Sequence, residues 1–128
     1  MGRIITSLKI SGLSSPDCMI QCDALVDTGA SYLTLPSAWK SRLGDFESSE
    51  DVDLELANQS SLKGEICGPV RIQVEGFRVI YNEVLFVDME PEDGVYEPLI
   101  GYIILQQCQA GVDMLGQRLV HIRKMDLK

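Results

Sequence analysis

The chain has 128 residues, enough for one domain and too few for two of ordinary size. Apolar residues make up 45%, the share expected of a protein that buries a core, and the formal charge of −8 argues against nucleic acid or anionic lipid as a partner. No apolar run approaches the roughly 18 residues that cross a membrane. Polar residues interrupt the first ten positions where a signal peptide would be continuously apolar, so no membrane partner is expected. Gly2 and Thr6 fit a loose myristoylation pattern, but a plain first strand is the preferred reading.

Period-two alternation dominates and predicts strands. The first runs from Ile4 to Ile10, and Ser14-Ser15-Pro16-Asp17 turns the chain. Cys18 to Val26 is a second strand, fully apolar at Ala24-Leu25-Val26, and Asp27-Thr28-Gly29-Ala30-Ser31 interrupts it. Tyr32 to Leu35 resumes a short strand, and Pro36 opens a small helical segment from Ser37 to Leu43. Gly44 to Asp51 reads as an acidic loop. Val52, Leu54 and Leu56 alternate with Asp53, Glu55 and Ala57, the pattern of a half-exposed strand, and Asn58-Gln59-Ser60-Ser61 reads as a hairpin tip.

Ile66, Val70, Ile72 and Val74 form the returning strand, with a bend at Gly68-Pro69. Glu75-Gly76 turns into Phe77, Val79 and Tyr81, and Val84 to Val87 is a separate short strand. Asp88 to Glu97 reads as a solvated loop. Tyr102 to Gln109 has helical spacing at Ile104, Leu105 and Cys108, and Ala110-Gly111 should end that helix. Val112 to Met114 and Arg118 to Ile122 flank a turn at Leu115-Gly116-Gln117. About eight strands and one or two short helices predict a mainly-β closed or sandwich-like domain over residues 1–128.

The four cysteines, Cys18, Cys22, Cys67 and Cys108, form no C-x-x-C pair, and His121 is the single histidine, so no metal site is expected. Along one strand Cys18 and Cys22 would stand about 13 Å apart, beyond the reach of a disulfide. Four reduced thiols in a cytoplasmic protein is the expectation.

The informative segment is Ala24-Leu25-Val26-Asp27-Thr28-Gly29-Ala30-Ser31. A carboxylate directly after three apolar residues is costly to bury unless it is hydrogen-bonded or shared. Thr28 and Ser31 bring hydroxyls, and Gly29 permits a tight, left-handed turn and a close amide. An aspartate held at the floor of a cleft fits these features. So does an ordinary turn, since Asp-Thr-Gly is good turn chemistry in any β protein.

The segment resembles the D-T-G-A-S active-site signature of the aspartic proteases, and the chain resembles their single-domain, retropepsin-like branch over about residues 4 to 123. Leu99-Ile100-Gly101 before a short helix, 74 positions after Asp27 at Gly101, matches the late apolar pair and glycine of that branch. Val52 to Val74 matches its flap hairpin, with the tip at Ala57, Asn58, Gln59, Ser60 and Ser61. The resemblance implies a closed β-barrel with a flap hairpin and a short C-terminal helix. It also implies an aspartic endopeptidase that needs no cofactor and acts on a peptide or protein substrate.

In such an enzyme two carboxylates about 3 Å apart cannot both ionise and share a proton, the aspartic proteases being the standard example. This chain holds one Asp-Thr-Gly and no Asp-Ser-Gly, so it supplies half a site. The resemblance therefore implies a homodimer in which Asp27 meets its symmetry mate. It gives Thr28 a bond across the two-fold axis, Gly29 the orientation of the carboxylates, and Ser31 a bond to the outer oxygen of Asp27. Ala30, Leu99, Ile100 and Gly101 support the site.

Three departures stand out. Tyr102 follows Gly101 where retroviral members carry arginine, Ser31-Tyr32 replaces two acids, and the flap tip lacks glycine. They feed the alternative of a dimeric interaction module that keeps the fold with little or no turnover. A ligand-binding β-barrel of other ancestry is a third reading. Ser31 with His121 as a serine-protease pair is disfavoured, because no nucleophile-elbow glycines surround it. His121 reads as outward-facing and Trp39 as a packing anchor. Glu90-Pro91-Glu92-Asp93 lacks the alternation of a calcium loop, and Arg71, Arg78 and Arg118 read as isolated strand arginines.

Overall fold

The computed structural model describes residues 3–56 and 58–122. The expectations for Gly2 and for Ala57 lie outside them. Nine strands are described: β1 (Ile5–Gly12), β2 (Met19–Val26), β3 (Leu33–Pro36), β4 (Ser48–Glu55), β5 (Ser61–Val74), β6 (Ile80–Val87), β7 (Leu99–Ile100), β8 (Ala110–Asp113) and β9 (Arg118–His121). One α-helix, α1 (Tyr102–Cys108), and one 3-10 helix, Ser37–Leu43, accompany them.

Seven strands join in the order β1-β2-β7-β3-β6-β5-β4, and β1 also pairs with β5. That extra pairing closes six strands into a barrel and leaves β4 on the outside of β5. The long β5 makes this possible by changing neighbours along its length. Ser61 to Gly68 pairs with β4, whereas Val70 to Val74 pairs with β1. The ladder to β6 slips between Cys67 and Val70, where Gly68-Pro69 interrupts it, so the sequence-read bend is a bulge.

Alternate residues of these strands fill the barrel. Leu8 and Ile10 of β1, Ile20 and Ala24 of β2, Leu33 and Leu35 of β3, and Val70 and Ile72 of β5 are all buried. Burying a side chain of this size contributes roughly 1.5–3 kcal/mol relative to leaving it in water. Leu43 of the 3-10 helix and Ile104 of α1 close the core, and both are fully buried.

Several strand ends shift by one or two residues, as β1 and β3 do, and four differences have a clear physical reason. Residues 48–51 are not loop but the start of β4, paired from Ser48↔Gly68 to Asp51↔Glu65. As an outer strand, β4 is held there by its backbone ladder and exposes Ser48 to Asp51, so no alternation marks it. Tyr81 and Val84 belong to one strand, β6; Asn82 and Glu83 break its apolar pattern where it faces the bulge of β5. Phe77 lies in the preceding turn, its amide bonded to Val74 O.

The third difference is at the end of α1. Ala110-Gly111 does not stop the helix but begins β8. Gln109 ends it in the left-handed region, at φ 58° and ψ 44°, with its amide on Gln106 O and Leu105 O. The fourth is at the flap tip, where Ser61 is already the first residue of β5, opposite Glu55. Trp39 and His121 sit as read: Trp39 packs edge-to-face on Tyr96, and exposed His121 stacks on Phe77 at 4.4 Å. Two of the arginines read as isolated are not: Arg118 pairs with Asp113 at 3.2 Å, and Arg78, in the turn before β6, donates to Gln107 O.

Candidate active site

The residues after β2 are held by a strand that arrives much later in the chain. β7 inserts between β2 and β3, parallel to β2 at Leu25↔Leu99 and Val26↔Ile100, antiparallel to β3 at Thr34↔Leu99. The loop 27–32 must therefore pass over the end of β7. Asp27 N continues the ladder onto Ile100 O at 2.9 Å. The amides of Gly101, Tyr102 and Ile103 donate to Tyr32 O, Ala30 O and Ser31 O at 3.0, 2.9 and 3.1 Å. At about 1 kcal/mol each, these bonds fix the loop against the start of α1.

Gly101 is required by this contact. A β-carbon on it would stand 2.4 Å from Ser31 C and O and 2.5 Å from Tyr32 O, all backbone atoms. Ile100, beside it, is fully buried, and Leu99 is half-buried. The late apolar pair and glycine are thus the clamp on the Asp27 loop.

Within the loop, Asp27 is half-buried and Thr28 and Gly29 are exposed. The Asp27 carboxylate accepts a hydrogen bond from Gly29 N at 3.0 Å, and Ala30 N closes a turn onto Asp27 O at 3.1 Å. Gly29 serves by lack of bulk: a β-carbon there would lie 3.3 Å from Asp27 Oδ1. The left-handed backbone expected at Gly29 is not what it uses, since the positive-φ glycines are Gly44, Gly76 and Gly94. Among the described residues, Gly29 N is the donor to this carboxylate, and the Ser31 hydroxyl makes no hydrogen bond to it. These bonds are those of the turn reading of Asp-Thr-Gly.

β4 and β5 form the flap hairpin. At its tip Leu56 N donates to Ser60 O and Gln59 N to Leu56 O, both at 2.9 Å. The Asn58 side chain accepts from Ser60 N at 3.0 Å, and Gln59 takes φ 66° without being glycine. Asn58, Gln59, Ser60 and Ser61 are exposed. The hairpin's base is tied to the 3-10 helix by Lys40, which bonds Glu65, and Ser49 also donates to Glu65. These bonds hold the Glu65 carboxyl below its ordinary range and the Lys40 ammonium above its own.

An open cleft of about 1120 Å³ lies between hairpin and loop. Leu54, Leu56 and Leu62 of the hairpin, Ala30 of the loop, and Leu25, Thr34 and Leu99 beneath all line it. It reaches Ala30 but not Asp27 itself. One wall is unexpected. Residues 88–97, read as a solvated loop, contribute Asp88, Met89, Glu90, Tyr96 and Glu97 to the cleft. The signal was Val95-Tyr96, two apolar residues inside an acidic run. Cys22 also lines the cleft; burial, and Asp23 beside it, push its thiol up to about 11. All four cysteines are free thiols.

The inserted β7, the clamp by Gly101 and the hairpin over the loop define the architecture. The fold is retropepsin-like. Among solved structures, the chain is similar to the EIAV protease complexed with the inhibitor HBY-793, at a TM-score of 0.63 and 22% identity, over 88% of this chain and 94% of that one. No family model matches the chain, and no curated protein matches it. In this fold Asp27 lies on the clamped loop, and the hairpin shares its cleft with Ala30 of that loop. β8 and β9 form a separate two-stranded sheet, at whose turn Leu115 is fully exposed.

Proposed function

We propose that the chain is an aspartic-type endopeptidase, active as a homodimer, with one Asp27 from each subunit forming the catalytic dyad. The observation that carries this reading is the Asp27 carboxylate held by Gly29 N on a loop clamped by Gly101, in a fold similar to that of a retroviral protease. The cleft of one protomer stops at Ala30, short of Asp27, as expected if the dyad forms where two such clefts meet. Tyr102, 42% exposed at the start of α1 beside the loop, would be covered by the second copy.

The chemistry follows from two close carboxylates. One is ionised and takes a proton from water as the water attacks the scissile carbonyl. The other is protonated and donates to the carbonyl oxygen. The proton then passes to the leaving amine as the C–N bond breaks, and the carboxylates exchange roles. In this reading Thr28 bonds across the two-fold axis, and Gly29 keeps the carboxylates oriented.

A second reading has one observation in its favour. The flap tip is a glycine-free turn fixed by the Asn58 side chain, with Gln59 in the left-handed region. A flap held this way suits a dimeric interaction module with little turnover. Cleavage of a denatured protein by the wild type and by Asp27→Asn decides between the two. The enzyme reading expects products from the wild type alone; equal cleavage, or none from either, would remove it.

A further inference from the structure

We propose that the cleft selects basic peptide segments, seating an apolar side chain on its floor with lysine or arginine against its rim. The inference rests on the cleft being the substrate cleft of the enzyme proposed above.

The floor is uncharged. Leu25, Leu54, Leu85 and Leu99 line it, and Trp39 and Tyr96 pack edge-to-face at 5.8 Å within the same lining. Thr34 is the polar residue of the floor. It is 6% exposed, and its hydroxyl turns back to Tyr32 O at 3.4 Å. A side chain entering there meets hydrocarbon, so an apolar one is favoured.

The rim has the opposite character. Asp23 from β2, with Asp88, Glu90, Glu92 and Glu97 from the 88–97 segment, places five acids around the opening. Of the chain's 11 lysines and arginines, one lines the cleft among the described residues. That one, Arg3, is already paired with Glu97. Asp23 and Asp88 accept from the hydroxyls of Ser7 and Ser37, which orient them without neutralising them. Arg42 lies over the Trp39 ring at 5.1 Å, but four carboxylates form no ion pair among the described residues, beside a low-dielectric wall that concentrates their field. A lysine placed near them gains, and a glutamate is repelled.

Trp39 is the chain's single tryptophan and lines the cleft, so its fluorescence reports occupancy directly. The experiment uses the full chain carrying Asp27→Asn, which removes turnover but leaves the rim. Two eight-residue peptides share a leucine-phenylalanine centre; one is flanked by lysines and the other by glutamates. In low salt the lysine peptide should bind at least about tenfold more tightly, and the gap should narrow severalfold near 0.5 M salt. Replacing both Glu90 and Glu92 by Gln should narrow it in low salt as well.

Equal affinities, a glutamate preference, a gap unmoved by the double variant, or no binding of either peptide would overturn the inference. The two readings fail separately. Wild-type cleavage without charge preference sinks this one alone. Charge-selective binding without any cleavage by the wild type sinks the enzyme reading alone.

Discussion

Gly101 and Ser31 stand so close that a methyl group on the first would lie 2.4 Å from the carbonyl carbon and oxygen of the second. Seventy positions separate them in the chain. The contact fixes the loop bearing Asp27, because Ile103 N, two residues past Gly101, bonds the same Ser31 carbonyl at 3.1 Å.

Gly101→Ala should therefore destabilise the fold by more than about 2 kcal/mol, since the obstructing atoms are backbone and cannot rotate away. Urea unfolding checks this through the midpoint. A wild-type midpoint would show that the clamp is looser than its geometry indicates.

Cys22 should be slow to react with thiol reagents in the folded chain. Burial raises its pKa from 9.0 to about 11, so little thiolate is present at pH 8. Iodoacetamide labelling, read by peptide mass spectrometry, should be at least about tenfold slower at Cys22 than in the urea-unfolded chain. The sign of the linkage is fixed by the same shift. Its contribution to stability is full below pH 9 and is lost as pH rises toward about 11. Cys22→Ser should flatten the stability loss over that window.

The Lys40–Glu65 tie should restrain the base of the flap. Glu65 is depressed and Lys40 raised, so the tie holds at neutral pH, weakens as acid titrates Glu65, and weakens again as alkali titrates Lys40. Glu65→Gln should cost below about 1 kcal/mol of global stability, because the pair is partly exposed. Amide exchange along Ser49 to Asp53 should nonetheless accelerate. Unchanged exchange there would mean that the ladder alone holds β4.

Proteolysis should peak at acid pH, near or below about 6. The proposed mechanism requires a proton shared between two close carboxylates, and alkali removes it. In the proposed dimer two subunits of charge −8 would also repel at pH 7, and protonating exposed carboxylates would relieve that. Salt at pH 7 should restore dimer but only part of the activity, because screening does not resupply the shared proton. Full activity at pH 8 in low salt would contradict both arguments.

The turn at Asp27 was legible because its bonds are local. Asp27, Thr28 and Gly29 form a turn whose bond from Gly29 N to Asp27 spans two residues. The flap stem was legible because Val52 and Leu54 are less exposed than Asp51, Asp53 and Glu55 between them. Ser48 to Asp51 were not, because pairing with β5, and not side-chain burial, makes them a strand. The 88–97 wall was hidden for a similar reason. Tyr96 is drawn into the cleft by Trp39, 57 positions earlier, and no local pattern encodes that contact. Left-handed Gln109 and Gln59 were missed because glycine or asparagine is the usual occupant of such positions.

The central claim is that two chains share one site, each giving a single Asp27. Mixing wild type with a ninefold excess of Asp27→Asn under conditions of subunit exchange tests it most directly. At constant wild-type concentration, random pairing leaves about one wild-type chain in ten with a wild-type partner, so activity should fall about tenfold. Activity unchanged by the added variant, with exchange verified, would mean that each chain works alone and would contradict the shared dyad.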